Sequence, residues 1–356
     1  MRAATYHGQE EIRIEETETR TVGPTEVRIA IDSCGICGSD LHEYAAGPIF
    51  IPAEEPHPVS NESAPITMGH EFSGTITEIG ESVTDLEEGN QVAVNPILYC
   101  GECRQCVEGN YHLCDVGGFI GLSGGGGGFA ESIVVDAEKA VPLADGVSLE
   151  AGALVEPLAV GLHAVRRSGL QAGDTVAVFG SGPIGLSVIQ CAKAAGAGRL
   201  FVSEPRAARR SRADACGADD VIDPTDTNAV DHINSETGGG ADIAFEVAGI
   251  ETTFNDAIGS TRPSGTVTIV SIWEEDVRTH PNELVLGERT LTGTLAYLGG
   301  PRSGEEYGMV IDMLADGRLD PEPLITDRIQ LEGIVENGFE RLLNADSDQV
   351  KIMVQP

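Results

Sequence analysis

Two short segments, Cys37-Gly-Ser-Asp-Leu-His42 and Gly69-His70-Glu71, bring together a thiol, a hydroxyl, imidazoles and carboxylates. Cysteine, histidine and carboxylate side chains are ordinary donors for Zn²⁺, and a site with one open position can polarise a bound oxygen. Taken alone the pair says little. A solitary Cys is more often a small buried apolar residue, and a solitary His a satisfied core side chain. Its weight comes from the rest of the chain.

Cys100-x2-Cys103-x2-Cys106-x7-Cys114 places four thiols within fifteen residues, in one loop. Closed coordination by four thiolates suits a structural zinc with no position open for chemistry. An iron–sulfur cluster is the rival reading of that spacing. Cys34-Gly-Ile-Cys37 has the spacing of a redox pair, but no thioredoxin-like βαβ pattern surrounds it. Glu156, in Leu154-Val-Glu-Pro-Leu158, would by itself be a capping or solvated carboxylate. Because it falls just before a nucleotide-binding pattern, it is a candidate fourth ligand beside Cys37, His70 and Glu71.

That pattern is Gly180-Ser-Gly182-Pro183-Ile184-Gly185, between the apolar run Thr175–Phe179 and a helix-forming segment. Its glycines permit a tight turn, close backbone approach to a pyrophosphate and close helix packing. The helix N-terminus behind them favours the phosphate charge. Glu204 ends the next strand at the spacing expected of a carboxylate that binds the adenine-ribose hydroxyls and repels a 2′-phosphate. This favours NAD over NADP, although Arg206, Arg209, Arg210 and Arg212 follow closely and could weaken the exclusion.

The elements that must hold these groups follow from periodicity. Residues 1 to 154 carry short alternating strands, among them Glu26–Ile31 and Phe72–Ile79, separated by Gly, Pro and Asp turns. This predicts a small antiparallel β domain. From Asp174 onward strands alternate with helical runs, the pattern of a doubly wound parallel sheet. After residue 296 a helix near Glu305–Leu314 and a strand at Val350–Val354 are expected, the strand rejoining the first domain. The division is therefore 1–154 with 297–356, and 155–296, in an α/β protein.

At 356 residues the chain is long enough for two cores. The N-terminus lacks an apolar signal core, and glycines and a proline break the longest apolar run, so the expectation is a cytoplasmic protein without a membrane span. The net charge is −35, and only Lys139, Lys193 and Lys351 are lysines among 22 cationic side chains. The acids are spread along the whole sequence rather than gathered in one patch. This disfavours nucleic acid, whose phosphates need basic surface. Such self-repulsion destabilises a compact state unless salt screens it. The composition reads as an adaptation to a salt-rich cytoplasm.

Taken together, the chain resembles the zinc-dependent medium-chain dehydrogenase/reductase superfamily over essentially its whole length. The carrying pieces are Gly35–His42, Gly69–Glu71, the four-Cys loop, Gly128-Phe-Ala-Glu131, Glu156-Pro157 and the Gly180 turn. Within it the sequence is most similar to the butanediol dehydrogenase branch of the polyol dehydrogenases, through Glu43–Pro65 and Val270-Ser-Ile-Trp-Glu-Glu275. The resemblance implies a GroES-like β-rich catalytic domain and a Rossmann domain. It implies catalytic zinc on Cys37 and His70, with Glu71 and Glu156 as ligands or exchanging with water and substrate. Asp40 would orient His70, and Ser39 and His42 would relay the hydroxyl proton to solvent. Val270, Ser271 and the segment Leu295-Ala296-Tyr297 would lie against the nicotinamide. The implied reaction moves a hydride between NAD and a small secondary alcohol or its ketone, with 2,3-butanediol and acetoin first, then sorbitol, threonine or glucose. A non-catalytic dinucleotide sensor is the reading from another class. A homodimer or tetramer is the implied assembly.

The charge reading makes a direct prediction. The melting temperature should rise steeply between roughly 0.1 and 2 M KCl, as the Debye length shrinks from about 10 Å towards 3 Å and below. A flat curve in differential scanning fluorimetry would count against it.

Overall fold

The protein is described here by a computed structural model covering residues 1–273, 275–344 and 347–356, so Glu274 of the Ser-Ile-Trp segment lies outside the described residues. The chain forms two compact units, Met1–Glu156 with Tyr297–Asp316 and Ile325–Pro356, and Pro157–Ala296 with Gly317–Leu324. The last segment departs from the division expected from sequence. Its reason is polar: the Gln190 amide donates to the Asp320 carbonyl at 2.8 Å and accepts from the Asp320 N–H at 2.7 Å. Arg212 adds a bond to the Pro323 carbonyl at 2.7 Å.

The first unit is built on the long strand Glu26–Gly35, whose Val27, Ile29 and Ile31 recur at the two-residue period of a half-buried strand. On one edge it pairs antiparallel with Glu71–Ile79, from Val27 opposite Ile79 to Gly35 opposite Glu71. Its other edge carries Ser132–Asp136 and then the terminal strand Lys351–Gln355, with Met353 opposite Gly35. Gln91–Val94 and Ala140–Pro142 extend the sheet beyond Glu71–Ile79, and Ile325–Gln330 adds a parallel strand outside the terminal one. Ile29, Phe72, Ile76, Val92, Phe129, Phe339, Ile352 and Val354 fill the core. Each such side chain withdrawn from water contributes about 1.5–3 kcal/mol before entropy is counted. The expected rejoining strand is thus present, and the expected helix runs from Ser303 to Ala315.

The second unit is a six-stranded sheet in the order Asp220–Ile222, Arg199–Ser203, Thr175–Phe179, Ala241–Glu246, Thr261–Ile269, Thr290–Gly293. Every pair in it is parallel. In chain order this is 3-2-1-4-5-6, the doubly wound arrangement with its switch point beside the first strand. The central strand is apolar because helices cover both faces, and Val176 through Phe179 are wholly buried. No helix among the described residues is long and apolar enough to cross a membrane.

One backbone position bears directly on the placement of His70. Gly69, the residue before it, has φ +94°, and a Cβ there would lie 2.9 Å from Cys34 Sγ and from Phe129. Gly69→Ala should therefore destabilise the first unit by about 2 kcal/mol or more, combining left-handed strain with overpacking. Denaturant unfolding in molar salt measures this, and a change below about 0.5 kcal/mol would contradict the account.

Candidate metal centre and dinucleotide turn

Sheet pairing delivers the first cluster. Strand Glu26–Gly35 ends at Gly35, and Cys37 then caps the helix Gly38–Ala46. The Asp40 carboxylate accepts the Cys37 N–H at 2.9 Å, closing the first turn. Next door, His70 directly precedes the neighbouring strand, which Glu71 begins. Ligand atoms of Cys37, His70 and Glu71 lie within 4.8 Å of one another.

The surroundings of His70 fix how it would bind. Asp40 Oδ1 lies 3.5 Å from Nδ1, and the Ser39 hydroxyl lies 3.2 Å from Nε2. Asp40 on the Nδ1 side favours a proton there, which leaves the Nε2 lone pair for a metal. Burial opposes charge on this imidazole, but Asp40 and then Cys37 outweigh it and hold its pKa well above the ordinary value. His70 Nδ1 and Asp40 Oδ1 are buried polar atoms without a hydrogen-bond partner. A pocket of buried anions and one imidazole is chemically suited to a divalent cation. A thiol, an imidazole nitrogen and carboxylate oxygens are donors zinc accepts, so the residues fit that ion.

Glu71 is fully buried, and both its oxygens take the Lys351 ammonium, at 2.7 and 2.6 Å. Glu156 stands in the first turn of the helix Val155–Ser168, 6% exposed, and accepts the Tyr297 hydroxyl at 2.7 Å. Burial first, and the Glu71 charge second, push its pKa up to about 7. Sequence reasoning missed Lys351, whose sole signal was its rarity in so acidic a chain. Tyr297, which the resemblance places beside the nicotinamide, donates its hydroxyl hydrogen bond to Glu156. Along the helix Gly38–Ala46, Ser39 is half-buried and His42 exposed, an inward-to-outward sequence of exchangeable groups.

Cys100, Cys103, Cys106 and Cys114 also converge, with ligand atoms within 4.8 Å of one another. The Cys100 N–H points at Cys114 Sγ and the Cys103 N–H at Cys100 Sγ, each at 3.3 Å. Backbone N–H groups of Asp115 and Cys106 lower the Cys103 pKa to about 6, while burial pushes Cys106 up to about 12. N–H donors aimed at sulfur stabilise thiolate, the form that ligates zinc. Cys34 is free and buried in the core, and that burial raises its pKa well above the ordinary thiol.

In the second unit Gly180–Gly185 links strand Thr175–Phe179 to helix Pro183–Ala194, with Gly182 as N-cap and Pro183 at the first helical position. Gly180 takes φ +105°, open to glycine alone at little cost. The Glu204 carboxylate turns towards this loop and accepts the N–H groups of Ser181 and Arg206, both at 2.9 Å. Arg209 is drawn against the same loop: a side chain at Gly182 would stand 3.8 Å from its Nη1. Burial lowers the Arg209 pKa, and its Nε has no hydrogen-bond partner. Ile184 continues the helix behind the turn. Across the switch point, Glu246 escaped the sequence reading. Fully buried, it accepts the N–H groups of Ala248 and Gly249 at 2.9 and 2.8 Å and the hydroxyls of Thr253 and Ser271. Val270 donates to the Glu246 carbonyl at 3.0 Å, so Val270 and Ser271 sit at the carboxyl end of the sheet. Ala296, φ +49°, leads directly into Tyr297.

Comparison with known proteins agrees with this architecture. The family model of the alcohol dehydrogenase GroES-like domain matches residues 23–145, and that of the zinc-binding dehydrogenases matches residues 183–316. The (R,R)-butanediol dehydrogenase of Bacillus subtilis is 46% identical over 357 residues, covering all of both chains. That of Neisseria gonorrhoeae is 40% identical over 359 residues, covering 100% of this chain and 99% of its own. The crystal structure of 2R,3R-butanediol dehydrogenase from Bacillus subtilis superposes with a TM-score of 0.93, covering 100% of this chain and 99% of that one, at 46% identity. A zinc-binding dehydrogenase from Sinorhizobium meliloti, solved with NADP, gives 0.88 at 30% identity, with 100% and 99% coverage. The chain belongs to the zinc-binding medium-chain dehydrogenase/reductase superfamily, in its butanediol dehydrogenase branch.

Proposed function

We propose that the protein is a zinc- and NAD-dependent dehydrogenase that interconverts 2,3-butanediol and acetoin, in a salt-rich cytoplasm and as a homodimer or tetramer. The observation that carries it is full-length similarity to butanediol dehydrogenases joined to the convergence of Cys37, His70 and Glu71. Cys37 and His70 would hold the catalytic zinc, with Glu71 and Glu156 as exchangeable carboxylates, and Cys100, Cys103, Cys106 and Cys114 a structural one. Bound there, zinc supplies Lewis-acid polarisation of the substrate hydroxyl, and the nicotinamide supplies the hydride acceptor.

The chain's own groups do the rest. Asp40 holds the His70 ring in one orientation. Ser39 accepts the hydroxyl proton and passes it through exposed His42 to water. With the cofactor bound, the net reaction would turn a diol and NAD⁺ into a ketol, NADH and one proton. Tyr297 keeps Glu156 aimed by one short bond. At the dinucleotide turn, Gly180, Gly182 and Gly185 admit the pyrophosphate, and buried Glu204 repels a 2′-phosphate. Arg209 is the residue placed to soften that discrimination. A second reading rests on the Bacillus subtilis sorbitol dehydrogenase, 34% identical over 358 residues.

Two measurements decide. With zinc in molar KCl, NAD should be reduced by (R,R)-2,3-butanediol at least about tenfold more efficiently than by sorbitol, threonine or glucose, and NADP should serve less well. Activity on those polyols with none on butanediol or acetoin would overturn the substrate. Mass spectrometry should find two zinc ions per chain. Cys37→Ser should remove one and reduce kcat/KM about a thousandfold or more with the fold intact, whereas Cys103→Ser should remove the other and lower the melting temperature.

A further inference from the structure

We propose that Lys351 is a positioning residue of the metal centre: it competes with the metal for Glu71 and so keeps that carboxylate an easily displaced ligand. The inference rests on the reading of Cys37 and His70 as the zinc site, and concerns how the ligand beside them is held.

Lysine is scarce here. The chain holds three, against nineteen arginines among its 22 cationic side chains. Yet Lys351 is 1% exposed. A lysine avoided on the surface but kept in the interior has work that the interior requires. Burying an isolated ammonium costs several kcal/mol, and it persists only with near-ideal partners. All three of its N–H bonds are satisfied: Glu71 Oε1 at 2.7 Å, Glu71 Oε2 at 2.6 Å and the Ile36 carbonyl at 2.9 Å.

Those partners are telling. Ile36 directly precedes Cys37, and Glu71 directly follows His70. One ammonium therefore staples the two segments that bear the candidate ligands. Register makes this possible, because the terminal strand pairs with Cys34 and Gly35 while Gly35 pairs with Glu71 across the sheet.

Charge gives the clamp its consequence. Glu71 stands within ligating reach of the Cys37–His70 position. Unrestrained in a dry pocket, a free carboxylate beside a divalent ion would bind it tightly. Together with the Cys37 thiolate and Glu156 it would leave the ligand set with one negative charge in excess and the metal a poorer Lewis acid. Lys351 engages both Glu71 oxygens, so the pair is neutral as a unit. Glu71 can then give way when a substrate oxygen arrives. The other carboxylate is held differently, accepting the neutral Tyr297 phenol on one oxygen.

The test uses the full-length protein in molar KCl. Lys351→Met keeps the stem and removes the charge. Competition with a chromophoric chelator should show the catalytic zinc bound about tenfold more tightly than in wild type, with kcat lower by about tenfold and KM little changed. In the cobalt-substituted protein the visible d–d bands should weaken and shift as Glu71 closes on the metal. The double variant Glu71→Gln/Lys351→Met should return both zinc affinity and cobalt spectrum towards wild type. Unchanged or weaker zinc binding in Lys351→Met, with an unaltered cobalt spectrum, would overturn the proposal and leave Lys351 a purely structural residue. If Lys351→Met does not fold, Glu71→Gln alone carries the test. With Lys351 already drawing on Glu71, its loss should weaken zinc binding by less than about tenfold, and a hundredfold loss would overturn the proposal. Failure of the functional reading is separate: it would show in Cys37→Ser retaining both zinc ions, whatever Lys351→Met does.

Discussion

Asp40, Glu71 and Glu156 are three buried carboxylates of the unit that brings Cys37, His70 and Glu71 together, and pairing them away from water is the constraint the first unit must satisfy. Buried anions are tolerable only when each has a partner, since the desolvation penalty of an unpaired carboxylate is several kcal/mol. The structure answers group by group. Asp40 faces His70 and takes the Cys37 N–H. Glu71 takes Lys351, and Glu156 takes Tyr297. What is left over is a pocket whose anionic character a divalent cation relieves, and it is this residual charge, more than the identity of any one side chain, that makes the cluster a metal centre.

Meeting that constraint dictates the topology. Cys37 and His70 flank the ends of adjacent antiparallel strands, Glu26–Gly35 and Glu71–Ile79, but Lys351 arrives only because the chain returns after the second unit to add Lys351–Gln355 to the same sheet. Tyr297 arrives at the start of that return. The doubly wound unit solves a different electrostatic problem. It buries Glu204 and Glu246 at the carboxyl ends of its strands and satisfies them with backbone N–H groups and hydroxyls. Those bonds shape the two loops at the switch point, where a doubly wound sheet binds its ligand.

Interior and exterior follow opposite rules of charge. Outside, acids dominate and arginine supplies the cations, many of them in short exposed pairs such as Arg2 with Glu131 and Arg328 with Glu150. Such pairs contribute little individually, about 0–1 kcal/mol, and screening weakens them further. Inside, two of the three lysines are kept: Lys139 donates to the Ile97 carbonyl beneath the Tyr99 ring, and Lys351 clamps Glu71. Salt reaches the first population and scarcely touches the second.

The sequence by itself determined whatever depends on local pattern. The Gly180–Gly185 turn, the four-Cys loop and the alternation of strands with helices are each set by neighbours within a few dozen residues, so type and spacing sufficed to identify them. Glu43–Pro65 and Val270-Ser-Ile-Trp-Glu-Glu275 likewise located the branch of the family. Tertiary structure decided whatever depends on register between distant strands. Lys351 lies 280 residues from Glu71, and Tyr297 lies 141 from Glu156. No periodicity links such positions, because the contact exists only once the terminal strand has paired with Cys34 and Gly35. Glu246 was hidden for a related reason: at the end of an apolar strand it reads as a boundary residue, and its role appears only when Ala248, Gly249, Thr253 and Ser271 fold around it. The segment Gly317–Leu324, too, joined the second unit through side-chain bonds to Gln190 and Arg212 that no local pattern encodes. Local chemistry is written in spacing; the balance of buried charge is written in topology.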